Sequence, residues 1–446
     1  MTRSPGCDPE EVVMLKARRL SVIVAATTIT VHTLAPQASA QTGNVVIQWN
    51  QMLQTFFPAG GPGIHIRALP MLHIAMFDAI NSIEDMYTPY LGQVKASHGA
   101  SAEVAAATAA RDILAAIYTA PADVQRFDNL LSEQLKGIPR GLARQGQAVG
   151  HAAAAAVLSW RQNDGWPATQ AAATAPDPTY VLPTFPGLWQ PTPPANSFAT
   201  FTFFPRVKPF AMLTSTQFLP PPPPTLISAR YVTDFNEVKL RGQDTSGART
   251  AEETLMAQVH ASVNTQIGFF HVWNRVAADI AQRQGLSLID TARIFALLAV
   301  AIHDGLQTSF TSKFTYGLWR PVTAIRRAGE DLNGATDPDP AWTPLLTTPT
   351  YPSYAGNAAC LSAASARALE IVFGKDPIPF TVTYPRTMGL PTETRTFASF
   401  ADLAQQQADS RVLGGIHYRF DNEASQAYCV KVPEFTAENF MLPRNQ

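Results

Sequence analysis

The chain has 446 residues, of which 46% are hydrophobic and 15% charged, and its formal net charge is −1 at pH 7. This composition is typical of a globular protein with a large core, and length alone allows roughly two to four domains. The balanced charge argues against a broad binding surface for nucleic acid or for an anionic membrane.

The N-terminus has the features of an export signal. Basic residues at positions 16, 18 and 19 precede an interrupted apolar stretch, and Ala38-Ser39-Ala40 is a small-x-small cleavage site. The acidic residues before Met14 are unusual in a signal and favour Met14 as the true start. We expect residues 1–40 to be a signal peptide and the mature protein to be secreted or periplasmic; the alternative is a single membrane anchor. No later apolar run reaches the ~20 residues that span a bilayer, so no stable membrane span is expected after cleavage.

Helical periodicity dominates the rest of the chain, and alternating strand patterns are scarce. Ser287 with Asp290 three residues later is a typical helix start, and Gly374 is a typical stop. The sequence therefore predicts an all-α fold. The expected helical segments lie within 44–90, 102–118, 141–161, from about 229, 250–271, 272–284, 287–309, 357–373, 397–410 and 424–431.

A proline-rich stretch interrupts the helical pattern between residues 174 and 228. Proline is excluded from helix interiors, so this stretch is expected to be extended. It is either an interdomain linker or an ordered arm packed on the helices, and its aromatic and Leu content favours the arm. We expect one continuous domain, 41–446, in which helical regions 41–173 and 229–446 flank the arm.

Lys313 and Arg320 are seven residues apart, which on a helix places them two turns apart on nearly the same face. Pro321 is expected to end that helix near Arg320. Such a pair can hold two oxygens of one tetrahedral anion. The alternative is a solvated helix face.

The segment from Ser410 to Asp421 contains more residues of the types found in active sites than the Lys313–Arg320 segment does. Two glycines at 414 and 415 predict a tight turn that brings His417 near a helix N-terminus, where anions are favoured. Asp421 follows at i+4 and can accept the ring N–H, which leaves the other nitrogen free to attack or coordinate. Arg411 adds a second guanidinium. The alternative is a surface His–Asp pair.

The remaining histidines and cysteines give weaker signals. His303-Asp304, inside an apolar helix, is more typical of a buried structural pair than of a catalytic one, and the other histidines have no spaced partner resembling a metal site. Cys360 and Cys429 remain after cleavage; they either pair or are two buried thiols, and no CxxC spacing indicates a zinc or iron–sulfur site.

In their order, these segments resemble the signature of vanadium-dependent haloperoxidases and type 2 phosphatidic acid phosphatases, in particular an exported bacterial branch. The elements are Lys313…Arg320-Pro321, then Pro352-Ser353-Tyr354, then Ser410-Arg411…His417…Asp421. The resemblance implies packed helix bundles with the pocket between helices. It also implies that Lys313, Arg320 and Arg411 bind oxygens of vanadate or phosphate, that His417 is the axial vanadium ligand or a phosphorylated nucleophile, and that Asp421 orients it.

The middle segment departs from that family. Where the family has P-S-Y-P-S-G-H-A, this chain has P-S-Y-A-G-N-A-A, so Gly356, Asn357 and Ala358 replace Ser, Gly and His. Backbone N–H groups of Gly356 and Asn357 at a helix start, or the Asn357 amide, are expected to bind the oxyanion instead. Ala358 cannot donate a proton, and a positioned general acid contributes ~10²–10⁴-fold.

The expected function is therefore a vanadate-dependent haloperoxidase with weakened acid–base machinery, which uses hydrogen peroxide to oxidise halide or a small organic acceptor. Two alternatives stay open. One is an acid phosphatase working through phospho-His417, and the other is a catalytically degenerate protein that binds phosphate or vanadate.

Overall fold

The computed structural model describes residues 43–56, 63–96, 99–167, 175–261, 269–374, 378–384 and 392–444; the expected signal peptide lies outside them. Helices dominate these residues, so the predicted all-α class is confirmed. Within the described ranges, no helix combines the length and the hydropathy needed to cross a bilayer.

The α-helices are α1 Val45–Gln54, α2 Gly63–Glu84, α3 Ala102–Ile117, α4 Pro121–Leu135, α5 Arg140–Trp160, α6 Ala229–Arg241, α7 Ala251–His260, α8 Phe269–Arg283, α9 Leu288–Tyr316, α10 Pro321–Arg326, α11 Asn357–Phe373, α12 Phe400–Leu413, α13 Arg419–Cys429 and α14 Lys431–Asn439.

Helix α9 is the central element of the fold. Its side chains are buried along almost all of its 29 residues, because it packs on α2 on one side and on α11 on the other. The predicted start is confirmed, since the Ser287 side chain accepts a hydrogen bond from the Asp290 N–H at 3.1 Å. A helix buried all round delivers its C-terminal residues into the protein interior, and Lys313 lies in that last turn.

Small residues allow the N-terminal helices to pack closely. A Cβ added to Gly150 of α5 would lie 2.4 Å from the Ala105 carbonyl oxygen of α3, and one added to Gly146 would lie 2.6 Å from the Ser101 carbonyl oxygen. The two backbones therefore approach more closely than larger residues would permit, which explains the Ala-rich composition of both helices.

The described part of the proline-rich segment, 175–228, packs against α9 and the residues after it. The buried carboxylate of Asp304 accepts three backbone N–H bonds from the segment, at 2.7 to 3.0 Å from residues 210–212. His303 lies beside it, with Nδ1 2.8 Å from an Asp304 oxygen, and both side chains are fully buried. The Trp189 N–H donates to the Gly317 carbonyl at 2.7 Å. Asp304 thus holds the segment in place, which gives the His–Asp pair a structural role.

Two details differ from the sequence expectation. The predicted helix 397–410 begins only at Phe400, because Ser399 caps it by accepting from the Asp402 N–H. Phe397 instead ends an unpredicted antiparallel hairpin, in which Phe380–Tyr384 pairs with Glu393–Phe397. The hairpin has a buried face made of alternate residues of the first strand. The predicted helix 250–271 also divides, since α7 ends at His260.

A disulfide joins the two C-terminal helices that flank the candidate site. Cys360 of α11 and Cys429 of α13 are bonded and fully buried, and 69 positions separate them. This settles the alternative of two free thiols. A cross-link across a loop of this length stabilises the fold mainly by restricting the unfolded chain.

Replacing both cysteines with serine is expected to lower the free energy of unfolding by about 3 kcal/mol, because the unfolded chain regains the entropy of the open loop. Urea denaturation measured with and without reductant tests this. Reduction should destabilise the wild type and leave the double variant unchanged; a wild type insensitive to complete reduction would contradict it.

Candidate anion-binding site

Lys313 and Arg320 do not lie on one helix. The predicted single helix is wrong: α9 ends at Tyr316 because Gly317 takes a left-handed conformation with φ of 63°. Pro321 then begins α10, and Arg320 before it is extended, as expected of a residue that precedes proline. The two side chains still lie near each other, since Lys313 Nζ is 5.4 Å and Arg320 Cζ 5.1 Å from the centroid of the same Tyr351 ring. Burial and then the charge of Arg320 lower the pKa of the Lys313 ammonium group.

The buried ammonium group of Lys313 is fully hydrogen-bonded to the second segment. Its Nζ donates to three backbone carbonyls, those of Pro352 at 3.0 Å, Ser353 at 2.6 Å and Ala355 at 2.6 Å. An ammonium group has three N–H donors, so all three are directed at this loop. Lys313 therefore fixes the loop and acts on the rest of the site through its charge.

His417 lies two residues before α13, and Asp421 reaches back to it from the first turn. Asp421 Oδ2 is 2.8 Å from His417 Nδ1, and it also accepts from Ser353 Oγ at 2.5 Å. Because a carboxylate accepts at Nδ1, that nitrogen carries the ring proton and Nε2 keeps its lone pair. Arg320 Nη1 donates to Nε2 at 3.1 Å. The unprotonated nitrogen of the imidazole thus faces the Arg320 guanidinium.

The site buries more positive than negative charge. Burial lowers the pKa of Lys313 well below its usual range and those of Arg320 and Arg411 to about 10. The negative charge of Asp421 raises the pKa values of Lys313 and Arg320 and so opposes the effect of burial. Burial raises the pKa of the Asp421 carboxyl group itself to about 6. Burial followed by the three cations holds the pKa of His417 far below its usual value, so the imidazole is neutral at pH 7. Arg320 Nη2 is buried without a hydrogen-bond partner among the described residues. Uncompensated buried cations favour an anionic ligand.

A family model described as the VCPO second helical-bundle domain matches residues 293–445, which include all these side chains. Vanadium chloroperoxidase of Curvularia inaequalis is 22% identical over 87% of this chain and 79% of its own length. By this domain and this relative, the chain is similar to the vanadium haloperoxidases.

Two solved structures of bacterial proteins are similar in fold to this chain. The first bacterial vanadium-dependent iodoperoxidase superposes with a TM-score of 0.73 at 23% identity, covering 90% of this chain and 97% of that one. An apo-type bacterial vanadium-dependent chloroperoxidase gives 0.69 at 16% identity, covering 86% and 94%. The helical architecture described above is therefore that of the vanadium haloperoxidases.

The contacts of the second segment bear on the predicted anion donors. The predicted oxyanion donor Gly356 is unavailable, because its N–H donates to the Asp421 carbonyl at 3.0 Å. A serine at this position would not fit without a shift, since an added Cβ would lie 2.5 Å from Asn422 Oδ1. Asn357 begins α11, and its side-chain oxygen accepts from Ser309 Oγ at 2.7 Å. Ala358 follows as the second helical residue and is partly exposed.

Two residues of the site were missed in the sequence. Ser353 shares the Asp421 carboxylate with His417, and Tyr351 lies over the cations, with its ring centroid 5.1 Å from Arg320 Cζ. The signature residues Pro352-Ser353-Tyr354 could have indicated the serine. Nothing in the spacing indicated the tyrosine, because its contacts depend on how the loop folds around Lys313.

The turn that delivers His417 depends on glycine. Gly415 has φ of 77°, and an added Cβ would lie 2.4 Å from the Gly242 carbonyl oxygen and 2.9 Å from Pro344 Cβ. Gly415→Ala is expected to lower the free energy of unfolding by about 3 kcal/mol, since backbone strain and overpacking add. Urea denaturation tests this beside Gly247→Ala, where a Cβ meets nothing within 4 Å. Equal losses in both variants would contradict the role given to this turn.

Proposed function

We propose that the protein is a vanadate-dependent peroxidase of the haloperoxidase type, which uses hydrogen peroxide to oxidise a halide or a small organic acceptor. The observation that carries this proposal is a neutral His417 whose unprotonated Nε2 faces buried cations in excess of the available carboxylate. A tetrahedral oxyanion with a metal centre satisfies both features at once. Its oxygens offset the positive charge, and its metal accepts the imidazole lone pair.

The residues present fit vanadate. Among the described residues, Arg320 Nη2 is buried without a hydrogen-bond partner, Arg411 is buried near the end of α12, and Lys313 supplies positive charge. His417 would be the ligand of the metal, and Asp421 and Ser353 would hold its ring and tautomer in place. When bound, vanadate supplies a Lewis acid that activates hydrogen peroxide toward attack by the acceptor.

Reduced proton transfer is part of the proposal. Ala358 supplies neither an acid nor a base beside the anion, and Gly356 supplies no hydroxyl. Hydrolysis of a phosphomonoester needs a proton on its leaving group, so the phosphatase alternative suffers more from this loss than peroxide chemistry, in which water can deliver protons.

We also propose that the mature chain is one continuous domain from residue 41 and acts outside the cytoplasm. The cleavage site at Ala38-Ser39-Ala40 supports this. N-terminal sequencing of exported protein tests it, and a mature chain that still carries Lys16 would overturn it.

The function is tested with the purified mature chain, loaded with orthovanadate or with phosphate. Bromide oxidation by peroxide and hydrolysis of p-nitrophenyl phosphate are measured on both forms. Oxidation that requires vanadate supports the proposal. Hydrolysis with a phosphorylated His417 would replace it with the phosphatase, and stoichiometric anion binding with neither turnover would replace it with a binding protein.

A further inference from the structure

Contacts with residues of the anion site and with Phe310 hold Tyr351 in place. Its carbonyl accepts from Arg320 Nε at 2.8 Å. Two cationic groups lie over its ring, with Lys313 Nζ at 5.4 Å and Arg320 Cζ at 5.1 Å from the centroid. The Phe310 ring packs edge-to-face at 5.2 Å. A partly exposed tyrosine held this firmly has one orientation for its hydroxyl.

The hydroxyl of Tyr351 lies at the start of α11, beside the altered positions. A hydrogen bond from the Asn357 side chain acts to lower the pKa of this hydroxyl. Because the Asn357 oxygen accepts from Ser309 Oγ at 2.7 Å, the amide N–H₂ remains as the donor of that side chain. A phenol that accepts from an amide keeps its own O–H as a donor for another group. Ala358, which replaces the family's histidine, is the next residue along the chain.

The same hydroxyl lies near cationic groups, since the ring that carries it has its centroid 5.4 Å from Lys313 Nζ and 5.1 Å from Arg320 Cζ. Burial raises the pKa of Tyr351, while the charges of Arg320 and Arg411 oppose the rise. The phenol therefore keeps its proton at neutral pH. It is a neutral donor among groups that attract an anion.

We propose that the Tyr351 hydroxyl donates a hydrogen bond to the bound oxyanion, in the place where the second segment lacks its serine and histidine. This inference rests on the proposed function, because it concerns the same anion. It makes Tyr351 an anion-binding residue and Asn357 the residue that positions it.

The test measures the affinity of the full mature chain for orthovanadate by equilibrium dialysis, together with the near-ultraviolet tyrosine difference spectrum on binding. Tyr351→Phe keeps the ring on Phe310 and removes only the hydroxyl. Its affinity is expected to fall about 10- to 100-fold, the range for a hydrogen bond to a charged group. Asn357→Ala should cause a smaller loss and weaken the spectral change, since the hydroxyl is then no longer oriented.

Tyr354→Phe is the matched control. Tyr354 lies in the same loop, but its hydroxyl donates to the Pro221 carbonyl at 2.7 Å, so this variant should bind vanadate like the wild type. Equal affinities of Tyr351→Phe and the wild type would overturn the inference and leave the proposed function standing. Equal losses in both Phe variants would also overturn it, because the effect would then be one of packing. A wild type that binds no vanadate would instead overturn the proposed function.

Discussion

Replacing His417 with alanine is expected to lower the affinity for vanadate by more than about 100-fold and to abolish vanadate-dependent bromide oxidation. Removal of a partner that merely orients a metal ligand costs about 10- to 100-fold, so loss of the ligand itself should cost more. Asp421→Asn supplies that comparison, because it keeps the size of the side chain that holds His417 Nδ1. Equilibrium dialysis and the oxidation assay give both quantities.

Two controls separate this effect from damage to the fold. His151→Ala removes an exposed imidazole on α5 that pairs only with a surface aspartate, and it should leave binding and oxidation unchanged. Free imidazole added to His417→Ala should restore part of the vanadate binding by filling the space that the ring leaves. Wild-type affinity in His417→Ala would exclude His417 as the ligand.

Ala358→His is expected to raise the hydrolysis of p-nitrophenyl phosphate by about 100-fold, because it returns a general acid to the start of α11. Bromide oxidation should rise less, since water can deliver protons in that reaction. Ala358 is partly exposed at the second position of the helix, which leaves room for a larger side chain. Initial rates with both substrates give the comparison.

Ala358→Gln is the matched variant for this change. It adds a side chain of similar size and polarity that cannot exchange a proton near neutral pH. Hydrolysis should therefore stay at the wild-type rate in Ala358→Gln. If histidine and glutamine had the same effect, position 358 would not be the one that faces the leaving group.

The sequence anticipated those parts of the molecule that depend on local signals. The cap at Ser287 and the stop at Gly374 follow from side chains within one helical turn, and the structure has both. The contact between His417 and Asp421 was expected from their spacing for the same reason. Fold class was also within reach, because helical periodicity repeats in segment after segment.

Contacts between segments that are far apart in the sequence could not be predicted from such local signals. Helix α9 ends before Gly317, so Arg320 does not lie on the helix that carries Lys313, although a spacing of seven residues is compatible with a single helix. The use of the Gly356 N–H by the Asp421 carbonyl depends on how α13 meets α11, and the placement of Tyr351 depends on the path of its loop. None of these leaves a periodic pattern, since each joins residues that are far apart in the chain.

The way Lys313 is held has a consequence for how this protein has diverged. All three acceptors of its ammonium group are main-chain carbonyls, which every amino acid supplies equally. Mutations in the second segment can therefore exchange its side chains without disturbing the lysine beneath it. This tolerance explains how the chain can keep Lys313 in place while Ala-Gly-Asn-Ala at positions 355–358 stands where the signature has Pro-Ser-Gly-His. The side chains of this loop, and with them the chemistry of the pocket, can therefore change during evolution while the Lys313 ammonium group keeps its contacts.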